Sequence, residues 1–352
     1  MTEPEVLIER RGHAGSITLN RPKALNALNL AMVRAIARAL DSWERDDAVM
    51  RIVISSAGGR AFCAGGDIRL LYEQGKAGDH EAQLTFWREE YQLNQRIKSY
   101  PKPYVALIDG LVMGGGVGLS LHGSHIIASE RYSFAMPEVG IGFFPDVGAT
   151  WPLARLRQNM GRYLVLTGAR ADAGDALAIG LAHSFVASPD FAALQTALES
   201  AEPIEAVVNR FAAEPPASKL AADAPLIESC FADADAAICL TALKSAGDAG
   251  SQAASAIHAG MIAKSPTSQA IAARQIALYG GVSFEEALCI DYSIVSRICR
   301  GIDFYEGVRA VIIDKDNRPD WRPSTLQAVS KDAIDAYFVP LGTSELEFGK
   351  AA

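Results

Sequence analysis

The sequence contains little that would support metal binding or covalent cross-linking. It has only five cysteines, and no two of them form a C-x-x-C pair; they are Cys63, Cys230, Cys239, Cys289 and Cys299. Such scattered thiols argue against a structural zinc site and a disulfide framework, so we predict no metal. Reduced thiols, with a start that resembles neither a signal peptide nor a transit segment, predict a cytoplasmic location.

Two further absences narrow the class of partner. No stretch approaches the roughly 20 apolar residues that span a bilayer, so no membrane segment is predicted. The chain carries 33 Lys and Arg against 41 Asp and Glu, and its net charge of −8 argues against a nucleic acid partner. A small anionic ligand stays compatible with that charge, because local backbone N–H groups can bind it.

Apolar runs and helical spacing alternate in the first half of the chain. The runs predict strands at 16–19, 52–54, 104–108 and 126–128, and the spacing predicts helices over 28–43, 68–74 and 84–97. This alternation predicts an α/β fold. After about residue 190 the strand signal fades and the chain is predicted to be helical. A length of 352 residues exceeds the usual single core. We therefore predict one domain over residues 1–190 and a mainly helical region over residues 191–352.

Two glycine-rich turns are the most informative motifs. One is FCAGGD over residues 62–67, and the other is MGGGVG over residues 113–118. Each feeds a predicted helix, where glycine allows close approach of the backbone and the first amides have no partner in the helix. Two such amides aimed at one oxygen would stabilise an oxyanion. The alternative is a pair of tight turns for strand–helix packing; neither turn matches a dinucleotide or a phosphate-loop motif.

Two carboxylates follow the second turn, in predicted loops. Glu138 lies in AMPE, ahead of an apolar stretch, and Asp146 lies in FPDVG. An acid in apolar surroundings is either a paired structural ion or a group whose raised pKa suits acid–base catalysis. For Asp146, Pro-Asp-x-Gly is also an ordinary turn. Together with the glycine turns, these acids indicate an enzyme that polarises a carbonyl without a metal.

Other nucleophiles and ligands are weaker candidates. Cys63 has no base nearby in the sequence and is more simply a buried thiol. Ser120 lies in GLSLHG, which has one residue too many for the G-x-S-x-G elbow of hydrolases. His122 and His125 are spaced for one helix face, but no third ligand is clustered with them.

These motifs resemble those of the enoyl-CoA hydratase/isomerase (crotonase) superfamily. The resemblance covers most of the chain and is most detailed to the 3-hydroxyisobutyryl-CoA hydrolase subfamily. The runs that carry it are ITLNRP at 17–22, ALNAL at 24–28, FCAGGDIR at 62–69, REEY at 88–91, PYVALI at 103–108, GGGVGL at 114–119, FAMPE at 134–138, FPDVG at 144–148, KSPTS at 264–268 and the segment 303–316.

The resemblance implies a spiral of ββα units, with residues 1–190 as the acyl-CoA-binding core. It implies an oxyanion hole made by the backbone N–H groups of Gly66 and Gly115, with Glu138 as the catalytic glutamate. Asp146 corresponds to a second catalytic carboxylate, and Glu90 to a further substrate-binding one; Gly115, Glu138 and Asp146 would also contact substrate. No cofactor is implied, since CoA is part of the substrate, and a homo-oligomer is compatible with the superfamily.

One departure from the hydratases is informative. They place a second glutamate two residues after the triple glycine, where this chain has Gly118. The resemblance therefore implies hydrolysis of 3-hydroxyisobutyryl-CoA, or also 3-hydroxypropionyl-CoA, as in valine catabolism. An enoyl-CoA isomerase or hydratase on the same fold is the alternative.

Overall fold

The computed structural model describes residues 3–349 of the chain. Its ten strands are β1 (Val6–Arg11), β2 (Ala14–Leu19), β3 (Arg51–Ser56), β4 (Ala61–Cys63), β5 (Tyr104–Ile108), β6 (Leu111–Met113), β7 (His125–Ala128), β8 (Ser133–Ala135), β9 (Ala171–Asp172) and β10 (Ser184–Phe185). The count refers to the described residues. The strands predicted from apolar runs are confirmed as β2, β3, β5 and β7.

The α-helices of the described residues are α1 (Leu30–Glu44), α2 (Ile68–Lys76), α3 (His80–Lys98), α4 (Gly115–Gly118), α5 (Thr150–Leu153), α6 (Met160–Thr167), α7 (Ala173–Ile179), α8 (Phe191–Ala197), α9 (Ile204–Asn209), α10 (Leu220–Cys230), α11 (Ala236–Asp248), α12 (Gln252–Ile262), α13 (Pro266–Leu278), α14 (Phe284–Ile298), α15 (Ile302–Val308) and α16 (Lys331–Tyr337). Short 3₁₀ turns include Glu138–Ile141, and a π-helical turn covers Arg309–Ile313. The predicted helices are confirmed as α1, α2 and α3, and the predicted helical character after residue 190 is confirmed as well. None of the helices described is both long and apolar enough to cross a bilayer.

Helix starts follow from capping residues. The Asn29 side chain accepts a hydrogen bond from the Met32 amide at the start of α1, and the Asp67 side chain accepts one from the Leu70 amide at the start of α2. Ser265 caps α13 in the same way. Ser283 forms a capping box with Glu286 at the start of α14.

The chain forms two compact units, each assembled from three stretches. The first comprises residues 1–66, 92–134 and 171–221; the second comprises residues 67–91, 135–170 and 222–352. Residues 1, 2 and 350–352 lie outside the described part. The division at residue 190 stays a prediction.

Two sheets lie within the first unit. The larger has the order β1-β2-β3-β5-β7-β10, with all neighbours after the β1–β2 pair parallel. Strand β5 is buried at every position and β3 at all but its last, as expected for parallel strands covered on both faces. The smaller sheet has the order β4-β6-β8-β9, and its β4–β6 pair is parallel.

Helices and an aromatic cluster build the second unit. The Trp87 ring stacks on that of Phe143, with centroids 5.5 Å apart and planes 17° from parallel. The ring of Phe304 packs against both. Because aromatic side chains bury large areas, this cluster anchors α3 and α15 against the segment that follows Glu138.

Candidate active site

The two glycine turns lie side by side in the first unit. Parallel strands β4 and β6 are neighbours, and each turn follows the carboxyl end of one of them. A Cβ atom placed on Gly65 would lie 3.5 Å from the Met113 carbonyl oxygen and 3.7 Å from the Gly115 amide nitrogen. The sequence separation of about fifty residues is thus closed by one strand pairing.

Backbone conformation in these turns demands glycine at specific positions. Gly65 has φ +103° and Gly114 has φ +47°, values that an L side chain disfavours. A Cβ on Gly116 would lie 2.5 Å from the Cys63 carbonyl oxygen. The turns therefore require glycine for conformation and for close packing.

Both predicted oxyanion donors keep their amides available. Among the described residues, no backbone carbonyl accepts a hydrogen bond from the amide of Gly66 or of Gly115. Gly115 is the first residue of α4, where helical amides have no intrahelical acceptor. Each of the two amides can therefore donate a hydrogen bond to a ligand, and their action on one oxygen stays a prediction.

The predicted carboxylates all belong to the second unit. Glu90 lies on α3, Glu138 begins the 3₁₀ turn Glu138–Ile141, and Asp146 lies in the loop before α5. All three are buried, with exposures of 2%, 6% and 5%. Buried acids of this kind need either a partner or a proton.

The environment makes these acids weaker than exposed ones. Burial raises the pKa of Asp146 to about 7, while a hydrogen bond from Tyr91 acts against that rise. Burial and then the charge of Asp146 raise the pKa of Glu138 well above its usual range, and the same two causes raise the pKa of Glu90. A raised pKa brings a carboxyl closer to neutral pH, where a group can both accept and release a proton during a reaction.

Their hydrogen bonds are unequal. The Tyr91 hydroxyl donates to Asp146 Oδ2 over 2.8 Å. By contrast, Glu90 Oε1 and Glu138 Oε2 are buried and have no hydrogen-bond partner among the described residues. Buried polar atoms are usually satisfied, so an unpaired carboxylate oxygen is a candidate for binding water or substrate.

A fourth buried acid was missed from the sequence. Asp291 on α14 is fully buried, and it accepts a hydrogen bond from the Gly148 amide, two residues after Asp146. The charge of Asp146 contributes to raising the pKa of Asp291, and the charge of Asp291 contributes to raising the pKa of Tyr91. The sequence feature that could have identified Asp291 is its position as the one acid in the run ALCIDYSIV, which lies in a predicted helix.

The weaker candidates have structural roles. Cys63 is fully buried, and the Ser120 hydroxyl donates to the Gly116 carbonyl oxygen over 2.8 Å within its own helical turn. His125 lies beside Ser124 and Glu205. Across residues 3–349 no three His, Cys, Asp or Glu side chains cluster so as to hold a metal ion.

Curated relatives cover nearly the whole chain. The 3-hydroxyisobutyryl-CoA hydrolase, mitochondrial, of Xenopus tropicalis is 44% identical over 353 residues, which span 97% of this chain and 91% of the relative.

The prediction of a cytoplasmic location is wrong, because the curated relatives at this similarity are named mitochondrial. Scattered cysteines exclude a disulfide framework, but they do not distinguish one reducing compartment from another.

Solved structures and a family signature agree on the fold. A protein of Mycobacterium thermoresistibile described as a carnitinyl-CoA dehydratase has a TM-score of 0.93 and 37% identity, covering 99% of this chain and 100% of its own. One of Rhodobacter sphaeroides described as an enoyl-CoA hydratase has a TM-score of 0.90 and 40% identity, covering 98% and 100%. These likenesses confirm the predicted crotonase-like α/β fold. The signature described as "Enoyl-CoA hydratase/isomerase" matches residues 14–338. The chain belongs to the enoyl-CoA hydratase/isomerase family.

Proposed function

We propose that this protein hydrolyses the thioester of 3-hydroxyisobutyryl-CoA to the free hydroxy acid and CoA. The observation that carries the proposal is the pair of backbone amides, Gly66 and Gly115, that lack a backbone acceptor among the described residues, in the adjacent turns after β4 and β6. The buried carboxyls of the second unit, with unpaired oxygens on Glu90 and Glu138, support it. The 44% identity to relatives named for that hydrolysis supports the choice of substrate. The reaction belongs to the breakdown of valine, a branched-chain amino acid, and 3-hydroxypropionyl-CoA is a second candidate substrate.

Carbonyl polarisation is assigned to the main chain. The amides of Gly66 and Gly115 would donate to the thioester oxygen as negative charge develops on it. Loss of one such donor typically costs about 100- to 1000-fold in rate. Gly115 begins α4, so its amide has no acceptor within the helix.

The carboxyls are assigned to proton transfer and substrate binding. Glu138, with its unpaired Oε2, either activates water as a general base or attacks the carbonyl to form an anhydride. Asp146, held by Tyr91, would position water or protonate the leaving thiolate. The second unpaired acid, Glu90, would bind the substrate hydroxyl.

Isomerisation or hydration of an enoyl-CoA is the alternative, favoured by the descriptions of the two solved structures. Gly118 weighs against hydration, because it stands where the hydratases carry their second glutamate. With Gly118 there, Glu138 has no second glutamate at that position with which to share the activation of one water molecule. An isomerase that uses Glu138 alone would shift a double bond without releasing CoA.

The test is CoA release from 3-hydroxyisobutyryl-CoA, followed with a thiol reagent, by the wild type and Glu138→Gln. We expect the variant to lose about 100- to 10,000-fold in kcat, the range of a positioned acid–base group. Glu205→Gln, at an exposed carboxylate with 73% side-chain exposure, is the matched control and should retain the wild-type rate. Wild-type protein that releases no CoA yet shifts a 3-enoyl-CoA double bond would replace the hydrolase with the isomerase.

The two routes at Glu138 are separated by isotope. A single turnover in ¹⁸O-water places label in the Glu138 carboxyl when an anhydride forms and water attacks its Glu138 carbonyl carbon, because one original oxygen of Glu138 then leaves in the product acid. On the general-base route all label enters the product acid. Mass spectrometry of the peptide that contains residue 138 reads the difference.

Whether the protein forms a homo-oligomer stays a prediction. Sedimentation velocity at micromolar concentration would settle it.

A further inference from the structure

The loop that carries Asp146 has a costly backbone. Val147 has φ +54° and Gly148 has φ +68°, so two successive residues adopt left-handed conformations. For a β-branched residue this costs on the order of 1–3 kcal/mol, and it persists only where surrounding contacts hold it. Gly148 has no space for a side chain, since a Cβ there would lie 2.5 Å from the Phe284 ring. Something must therefore hold residues 145–148.

A pair of buried side chains provides that hold. Asp291 Oδ2 accepts a hydrogen bond of 2.9 Å from the Gly148 amide. Gln275 Nε2 donates to the Pro145 carbonyl oxygen over 3.1 Å and to Asp291 Oδ1 over 2.8 Å. Asp291 on α14 and Gln275 on α13 thus hold the two ends of the loop of residues 145–148 by hydrogen bonds.

Asp291 is itself fixed in direction. The Tyr279 hydroxyl donates to Asp291 Oδ1 over 2.6 Å, so the carboxyl accepts three hydrogen bonds in all. Burial raises the pKa of Asp291, and these donors act against the rise. For stability alone an apolar residue would suit this fully buried position better, because burying a carboxyl carries a desolvation cost.

Two different contacts then determine where the Asp146 carboxyl lies. Tyr91 holds its side chain at Oδ2, whereas Asp291 and Gln275 hold its backbone from either side. Titratable groups that act on this cluster are Glu90, Tyr91, Glu138, Tyr279 and Asp291.

We infer that Asp291 is a positioning residue, which holds the loop of residues 145–148 and through it the carboxyl of Asp146. The inference rests on the proposed function only for the role of Asp146 in the reaction. The hold on the loop can be measured without substrate.

The first measurement is kcat and KM for CoA release by Asp291→Asn and Tyr279→Phe. An asparagine offers one oxygen and one NH₂ group, so it cannot accept both from the Gly148 amide and from the Gln275 and Tyr279 donors. We expect kcat to fall about 10- to 100-fold, as for a misplacement near 1 Å, with KM within about twofold because Asp146 is assigned to chemistry. Tyr279→Phe keeps the Gly148 bond and should lose only a few-fold in kcat.

Asp175→Asn is the matched control. Asp175 is also a buried aspartate with three donors, namely the amides of Asp172 and Leu220 and the Ser218 hydroxyl. None of these belongs to the loop of residues 145–148. The control should lose thermal stability while it keeps kcat within about twofold, so a structural effect is separated from a positional one.

The second measurement needs no activity. Hydrogen exchange followed by mass spectrometry on a peptide spanning residues 144–149 should be at least about tenfold faster in Asp291→Leu, because the leucine leaves the Gly148 amide without its side-chain acceptor. If the wild type releases no CoA, the proposed function fails and this exchange rate alone decides the inference. Unchanged exchange overturns the inference, as does wild-type kcat in a folded Asp291→Asn. Should the Asp291 variants not fold, Tyr279→Phe decides, and wild-type kcat in that variant overturns the inference too.

Discussion

At the scale of the residue, the second unit concentrates acids where apolar side chains would be less costly. Glu90, Glu138, Asp146 and Asp291 are all buried, and burial is the largest cause of each raised pKa. Such sets mark functional sites more often than structural ones. The unpaired oxygens on Glu90 and Glu138 agree with that pattern.

Asp146→Asn should change how stability depends on pH. Because the pKa of Asp146 rises from 3.8 unfolded to about 7 folded, the folded state keeps a proton between these values that the unfolded chain has released. This contribution to stability is fully present below about pH 4 and is lost as pH rises through 7. The variant has no carboxyl at this position and does not lose this contribution. The difference in unfolding free energy, variant minus wild type, should therefore increase by up to about 4 kcal/mol from pH 4 to pH 7.

Urea unfolding of both proteins at half-unit steps from pH 4.5 to 7.5 measures this gain. A difference between variant and wild type that stays constant across the series contradicts the raised pKa of Asp146.

At the scale of the element, a strand pair and a four-residue helix bring the two glycine turns together. The packing of α4 on β4 leaves no space at Gly116, where a Cβ would lie 2.5 Å from the Cys63 carbonyl oxygen and 2.7 Å from its Cβ. Neither of these Cys63 atoms is at the flexible end of a side chain, so the backbone must move before a Cβ can fit at Gly116.

Gly116→Ala should therefore displace the adjacent Gly115 amide. We expect a loss of about 1–3 kcal/mol in unfolding free energy from overpacking. We also expect a fall of about 100-fold in kcat, the usual effect of losing one oxyanion donor. Chemical denaturation and the CoA-release assay measure the two effects.

Gly260→Ala supplies the control. Gly260 is exposed within α12, and a Cβ there meets no atom within 4 Å. Alanine should stabilise this helix by about 0.5–1 kcal/mol and leave kcat unchanged. If Gly116→Ala keeps the wild-type kcat, the turn after β6 has no role in the reaction.

Elements were predictable from local patterns, whereas the links between distant elements were not. The spacing of apolar residues was sufficient to predict β3, β5 and α1, because the buried positions of each element follow a regular pattern along a single stretch of sequence. Gly66, Gly115, Glu138 and Asp146 could be proposed as site residues because each lies in a motif. The bonds of Asp291 to Gly148 and of Gln275 to Pro145 join residues 143 and 130 positions apart, which no local pattern records.

At the scale of the whole molecule, an acidic chain is proposed to bind a polyanionic thioester. The net charge of −8 gives no general attraction for CoA, so its affinity must come from local donors such as free amides. CoA alone therefore tests binding separately from catalysis.

Free CoA should stabilise the folded protein by mass action. At a concentration 100 times its Kd, a ligand that binds only the folded state adds about 2.7 kcal/mol to the free energy of unfolding. Calorimetry gives the Kd, and denaturation with and without CoA gives the shift. Glu138→Gln should show the same shift, since the free thiol lacks the acyl group that Glu138 would act upon. No shift in the wild type at saturating CoA counts against an acyl-CoA substrate.

A main-chain donor depends on the path of the backbone and does not depend on the identity of any one side chain. A mutation can remove Glu138 or Asp146 outright, but the amides that follow β4 and β6 persist under every substitution except proline or one that moves the chain. If these amides polarise the carbonyl as proposed, a lineage can exchange its acids while that polarisation survives. Relatives at 37–44% identity carry descriptions as different as dehydratase, hydratase and hydrolase.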